Sequence, residues 1–279
     1  MRYINYNGNI HQEHEQLLSV TNRGFKYGDS FFETMAMFNK KIPLLDYHWS
    51  RIEFTAEVLS AHLPKRFHLE SFQNMLLDLA SVNDAVENAR VRLQFFRKGG
   101  GLYLPDEKEL GYTFSMNKLT NDKFEAGDGL KVGVRQDCWK TVSMISDIKS
   151  NNALMYVLAA QYAREEGWDE CILLNDSESI SEAIHSNVFL VKGEKLITPH
   201  LDSGCVNGVM RAYLIPMLDE ENFEEREVEL KELLEADEIL LTNAVRGIQW
   251  VREFEGKTYG NKRAVELTAL LNKELLQTD

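Results

Sequence analysis

The spacing of apolar and polar positions changes several times along the chain, and each change predicts an element. Tyr3 to Tyr6 reads as a short strand, and Asn7-Gly8 follows as a hairpin turn because both residues tolerate positive φ. A second strand is predicted over about Ser30 to Phe38, turning through Asn39-Lys40-Lys41. Asp46 stands where an N-cap would open a helix carrying Trp49, Ile52, Phe54, Ala56 and Leu59. Another helix is predicted over Leu69 to Val82, with strands near Arg90 to Phe96 and Tyr112 to Met116. The second half predicts a strand (Leu130 to Arg135), a helix (Asn152 to Arg164) and a strand (Cys171 to Leu174). A turn at Asn175-Asp176-Ser177 leads to strands near Ser179 to Ser181 and Val188 to Val191. A helix from about Gly208 to Leu218, a strand at Ile239 to Thr242 and a helix from Asn261 to Leu276 complete the series.

Between the two halves, Lys118 to Gly129 is polar and carries Asp122, Lys123, Glu125, Gly127, Asp128 and Gly129, the composition of a linker. A chain of 279 residues exceeds what one core usually holds. The expected organisation is therefore a small domain over 1–118, a linker over 119–129 and a larger domain over 130–279, of α+β class.

Composition narrows the partners. Apolar residues at 44% and charged residues at 27% are ordinary for a globular protein, while a net charge of -13 argues against nucleic acid and anionic membranes. The most apolar long segment, Ala153 to Ala163, is about half of what a bilayer crossing needs, and it contains Gln161. The N-terminal residues lack an apolar stretch of secretory type. Cys138, Cys171 and Cys205 form no CxxC pair and cannot all be bridged, so no zinc set is expected and a reducing, cytoplasmic compartment fits.

Three features bear on chemistry. Glu182 lies just past a turn, where alone it reads as a solvated residue, although a buried carboxylate there would need a partner. Gly208-Val209-Met210-Arg211 opens a predicted helix, whose first N–H groups suit a phosphate but more often start a helix and nothing else. Lys149 alone reads as a surface lysine.

Together these segments carry more. Glu182-Ala183-Ile184-His185-Ser186-Asn187-Val188-Phe189 continues through Leu196-Ile197-Thr198 to Val206-Asn207-Gly208-Val209-Met210-Arg211. Upstream stand Arg23-Gly24-Phe25-Lys26-Tyr27-Gly28-Asp29-Ser30-Phe31-Phe32-Glu33-Thr34, the H-x-x-R pair His48 and Arg51, and Lys149-Ser150-Asn151-Asn152-Ala153-Leu154. In this order and spacing they resemble the motifs of class IV aminotransferases across nearly the whole chain. The resemblance implies a two-domain, pyridoxal-5'-phosphate-dependent fold: a small N-terminal α/β domain, a larger C-terminal domain with a barrel-like sheet, and the cofactor in the cleft between them. It also implies a homodimer and a small-molecule amino substrate.

It assigns residue roles as well. Lys149 would hold the cofactor covalently and later act as acid/base. Glu182 would pair with the pyridine nitrogen. Arg51 would bind the phosphate with backbone N–H groups at Val209 and Met210 and with Thr242 or Asn243, and Val206 would pack against the ring. Met210 stands where many relatives place a hydroxyl residue.

Members of this family transfer an amino group from branched-chain or D-amino acids, or eliminate pyruvate from 4-amino-4-deoxychorismate to leave 4-aminobenzoate. Thr34 stands where branched-chain enzymes usually have glycine, Leu154 stands where many have tyrosine, and Thr242-Asn243-Ala244 resembles the lyases. These features favour the lyase, with Thr34 assisting departure of pyruvate, although Thr34 also suits a packed strand. Against it, Arg97-Lys98-Gly99-Gly100-Gly101-Leu102-Tyr103 places Leu102 where a lyase arginine would meet a carboxylate. Tyr27, Arg97 and Tyr103 are the expected carboxylate-orienting residues. His185 reads as structural, and His11 and His14 with Glu13 and Glu15 read as a solvated loop without metal. Trp139 and Trp168 read as packing residues, and Asp219 to Glu227 as a solvated helix end and loop.

Overall fold

The Asn7-Gly8 turn forms as expected. Both residues take positive φ, at 50° and 93°, and they join β1 (Tyr3–Tyr6) to β2 (Asn9–Gln12) with Tyr6 opposite Asn9. This turn begins a computed structural model that describes residues 2–218 and 220–277. The chain divides into two units, the first reaching Asp122 and including Ile148–Asn152, the second comprising Lys123–Asp147 and the residues from Ala153 on. The strip Ile148–Asn152 therefore packs with the first unit although its sequence lies well inside the second.

In the first unit a short helix, α1 (Arg23–Tyr27), precedes β3 (Ser30–Met37). Two helices follow, α2 (Leu45–Val58) and α3 (Leu69–Val82), and then β4 (Ala89–Arg97) and β5 (Leu110–Lys118). The sheet runs β2-β1-β5-β4-β3, with every pairing antiparallel. The N-cap of α2 differs from expectation. Leu44, in left-handed conformation at φ 60°, holds the cap position without a side-chain bond, and Asp46 lies in the first turn, where its charge meets the positive helix end. His68 caps α3 through a reciprocal pair of bonds with Ser71. Alternation along β3 sends Phe31, Met35 and Met37 into a core with Phe67, Phe72, Phe95 and Phe114. Phe32 and Thr34 consequently face the other side.

In the second unit β6 (Leu130–Lys140) runs well past its predicted end at Arg135. It is followed by α4 (Leu154–Glu165), β7 (Glu170–Asn175), β8 (Ile180–Ala183), β9 (Asn187–Lys192) and β10 (Lys195–Pro199). After α5 (Val209–Leu214) come β11 (Phe223–Arg226), α6 (Lys231–Glu235), β12 (Glu238–Asn243), β13 (Gly247–Phe254), β14 (Lys257–Thr258) and α7 (Lys262–Leu276). The sheet order is β11-β10-β9-β12-β13-β6-β7-β8, with β14 paired to β13. Strand β8 ends that order, yet only Ile184–Ser186 separate it from β9, which lies near the opposite end. So short a connection requires the sheet to curl on itself, and the result is the expected barrel-like sheet.

Two expectations change here. A register shift between Val134 and Trp139 lets β6 continue, so that Trp139 pairs with Leu174 and Lys140 with Asn175. Within the segment read as a solvated helix end and loop, Phe223–Arg226 forms a strand parallel to β10, and Arg226 is held by Glu232 at 2.6 Å; Asp219 lies outside the described residues. Trp168 packs as expected, edge-on to Tyr162 with ring centroids 5.5 Å apart. No helix among the described residues is long and apolar enough to cross a membrane.

Candidate active site

The strip Ile148–Asn152 lies antiparallel along the free edge of β3. Phe32 N–H donates to the Lys149 carbonyl at 3.0 Å, and Asn151 N–H donates to the Ser30 carbonyl at 2.9 Å. Phe31 faces Ser150 across this pairing, which sets Lys149 opposite Phe32 and directs both side chains to the same face of the sheet. Lys149 Nζ stands 4.8 Å from the Phe32 ring centroid. Thr34, two residues on, shares that face, and Arg92 is its partner on β4. The Arg92 guanidinium sits 3.9 Å from the Phe32 ring centroid. Among the described residues no carboxylate pairs with Arg92, whose charge is disfavoured by burial and then by neighbouring Arg90.

The opposite face of β3 carries Glu33, and here the structure places Arg51. Its Nε and Nη2 grip the two Glu33 oxygens at 2.8 and 2.6 Å, and His48 Nδ1 meets Glu33 at 2.6 Å. All three residues are buried. Burial alone would raise the Glu33 pKa, but Arg51 and His48 override it and hold the carboxyl at about 2. Burial lowers the His48 pKa, against the pull of Glu33. By alternation, Lys149 and Arg51 thus approach β3 from different sides.

Of the expected substrate residues, Arg97 is withdrawn. It is only 5% exposed, with Nε on Asp29 at 3.0 Å and Nη2 on the Leu59 carbonyl at 2.6 Å. The same Asp29 receives Arg23 Nε at 2.8 Å, and Arg23 Nη1 binds the carbonyls of Gly100 and Leu102. Arg97 therefore shares Asp29 with Arg23, the residue that fixes the glycine-rich loop, while Arg97 Nη1 is buried without a hydrogen-bond partner. Tyr103, at 90% exposure, and Tyr27 lie with ring centroids 5.8 Å apart.

In the second unit Glu182 is buried on β8. Its Oε1 accepts from the Lys140 ammonium and from the Tyr156 hydroxyl at 2.6 Å, and its Oε2 accepts from Val206 N–H at 2.9 Å. Burial, then Glu182, pushes the Tyr156 hydroxyl's pKa strongly upward. Sequence reasoning missed both Lys140 and Tyr156. Lys140 lies beyond the strand's predicted end, and only the register shift in β6 brings it to Glu182. The helical spacing of Tyr156 gave no sign of its polar partner.

Gly208 precedes α5, and a Cβ there would lie 1.9 Å from Asn187 Oδ1, while Asn187 Nδ2 donates to the Val206 carbonyl at 2.8 Å. Its φ of -66° is open to any residue, so glycine is needed here for space, because the missing Cβ lets Asn187 approach. Among the described residues the buried N–H groups of Val209 and Met210 donate to no acceptor, as expected of a helix's first turn. Thr242 Oγ1 is buried without a hydrogen-bond partner, beside an apolar space lined by Phe189, Leu196, Leu214 and Leu240. Asn243 is engaged in its own turn: Oδ1 accepts from Val245 and Arg246 N–H at 3.0 and 2.8 Å, and Nδ2 donates to Ser186 at 3.1 Å. Neither side chain is directed at an anion by these contacts. His11 and Glu15 form an exposed pair at 3.0 Å. Exposed His185 meets buried Glu170 at 3.1 Å. Among the described residues no cluster of His, Cys, Asp or Glu is placed to hold a metal ion.

Residues 30–254 of the chain match the family described as amino-transferase class IV. The chain is 27% identical to the D-alanine aminotransferase of Bacillus licheniformis, covering 98% of this chain and 97% of that protein. It is 29% identical to the aminodeoxychorismate lyase of Bacillus subtilis, covering 96% and 92%. The fold is similar to a branched-chain aminotransferase from Thermoproteus uzoniensis, with a TM-score of 0.86 at 20% identity over 99% and 95% of the two chains.

Proposed function

The chain belongs to the class IV aminotransferases, whose cofactor is pyridoxal 5'-phosphate, and from that premise we propose that it eliminates pyruvate from 4-amino-4-deoxychorismate. One observation carries this reading. Lys149, Thr34 and Arg92 share one face of the first unit's sheet, which sets an amine, a hydroxyl and a guanidinium on one surface.

The chain's residues fit the cofactor. Glu182 keeps one carboxylate position open at Oε2, since three donors occupy the others. The buried amides of Val209 and Met210 supply unsatisfied donors for a phosphate. Bound pyridoxal phosphate supplies an electron sink conjugated to the substrate's amine.

In this reading Lys149 Nζ would hold the cofactor until the substrate's amine takes its place, and the freed amine would then remove the proton from the carbon that bears the substrate nitrogen. The Thr34 hydroxyl hydrogen-bonds the oxygen of the departing pyruvate, and Arg92 faces a substrate carboxylate, for which a guanidinium is the fitting partner. Glu182 accepts a hydrogen bond from the ring nitrogen. Arg51, oriented by Glu33, is a proposed phosphate ligand. Arg92 replaces Arg97 as the proposed carboxylate residue.

A second reading is an aminotransferase acting on a branched-chain or D-amino acid. The withdrawal of Arg97 into the clamp with Asp29 favours it, because one expected contact to a second carboxylate of the lyase substrate is lost. Purified protein loaded with the cofactor should form pyruvate and 4-aminobenzoate from 4-amino-4-deoxychorismate, and Lys149→Ala should lose roughly a thousandfold or more of that rate. Absence of product, with amino transfer to 2-oxoglutarate observed instead, would replace the first reading by the second.

A further inference from the structure

Glu182 is the proposed partner of the cofactor's ring nitrogen, and any role for its neighbour Lys140 rests on that reading. The Glu182 carboxylate is unevenly surrounded. The Lys140 side chain is 12% exposed and the Glu182 side chain 5% exposed, so the pair is screened little by water. Lys140 has a second anchor in the Ser146 carbonyl at 3.1 Å, and its ammonium lies 5.7 Å from the Tyr156 ring centroid. This is a fixed cation on the carboxylate.

Among the described residues, the other titratable groups facing Glu182 bring no compensating charge. Tyr156, from α4, is kept protonated by burial and by Glu182 itself. Cys205, after β10, has its thiol pushed up to about 11, chiefly by burial. Beyond it, Arg211 and Glu225 are paired with each other at 2.5 Å. Lys140 is thus the group that changes what Glu182 offers to a further donor.

We propose that Lys140 is a positioning residue that neutralises part of the Glu182 charge, so that the cofactor's ring nitrogen holds its proton less firmly than beside an unpaired carboxylate. A weaker electron sink suffices where the product's own aromaticity draws the reaction forward. The opposite expectation holds if Lys140 only steadies Glu182: its removal would then let the carboxylate drift and would weaken the nitrogen's hold on its proton. The two roles differ in sign.

The test reads protonation rather than turnover. Wild type, Lys140→Met and Lys140→Arg are loaded with pyridoxal phosphate labelled with ¹⁵N in the ring, and the nitrogen's NMR shift is followed across pH. Lys140→Met should raise the nitrogen's titration midpoint by roughly one unit or more, and Lys140→Arg should stay near wild type. A lowered or unchanged midpoint in Lys140→Met would overturn the proposal. Should the methionine variant fail to fold, Lys140→Gln retains hydrogen-bond donors for Glu182 and Ser146 without the charge, and the same rise is expected. Wild-type protein that shows no visible cofactor absorption after loading would overturn the cofactor reading itself, an outcome distinct from an unshifted midpoint in loaded variants.

Discussion

Glu33 shows how much one side chain can carry. Buried at 1% exposure, it satisfies Arg51 through two bonds and His48 through a third. Replacing it by glutamine leaves Arg51 a buried cation with a neutral partner, and the expected cost is roughly 3–5 kcal/mol, measurable by urea unfolding. The pH dependence follows from two depressed pKa values. Glu33, held at about 2, contributes stability that is complete above its unfolded value and lost as pH falls toward 2. His48, depressed by burial, must take up a proton on unfolding once pH drops below its ordinary value of about 6.5. Both act in one direction, so stability should decline progressively below about pH 6.5, and Glu33→Gln should remove the Glu33 share of that slope. A flat acid limb in the wild type would contradict this assignment of charges.

At the scale of elements, the start of α5 is closely packed. A Cβ at Gly208 would meet Asn187 Oδ1 at 1.9 Å, and the amides of Val209 and Met210 take their direction from that turn. Gly208→Ala should therefore weaken cofactor binding by about tenfold or more, read by fluorescence titration of apoprotein, while unfolding stability falls by only about 1–3 kcal/mol. Equal affinity in the two proteins would show that those amides do not hold the phosphate. The elements most legible in the sequence were those with a clean period or a turn signal. Tyr3–Tyr6 and Leu69–Val82 form with the predicted bounds, and Asn7-Gly8 turns as its residue types require. Strand β13 was missed because Gln249, Trp250 and Arg252 interrupt its apolar alternation, and β11 because a charged edge strand resembles a loop.

Across the whole molecule, the motifs made the family and the barrel-like sheet legible, since residues in spaced motifs survive where a local period is ambiguous. The proposed site was less legible. Lys149, Thr34 and Glu182 could be named from sequence, but the partners that hold them could not, because Lys140 depends on a register shift and Arg92 on which face of a strand is left open. The clamp of Arg97 by Asp29 was equally hidden, as it joins residues far apart in the chain. The strip Ile148–Asn152 has a topological consequence. Because it belongs to the first unit while its flanks belong to the second, the chain passes between units at three points: after Asp122, after Asp147 and after Asn152. A protease cut just after Asp122 would therefore break the backbone without freeing either piece. The amino-terminal fragment would still be zipped along β3 to a strip that is covalently part of the carboxy-terminal one. The nicked protein should migrate as a single species on a native gel and as two bands once denatured, and separation without denaturant would mean that the strip is too weak a clasp to bind the fragments.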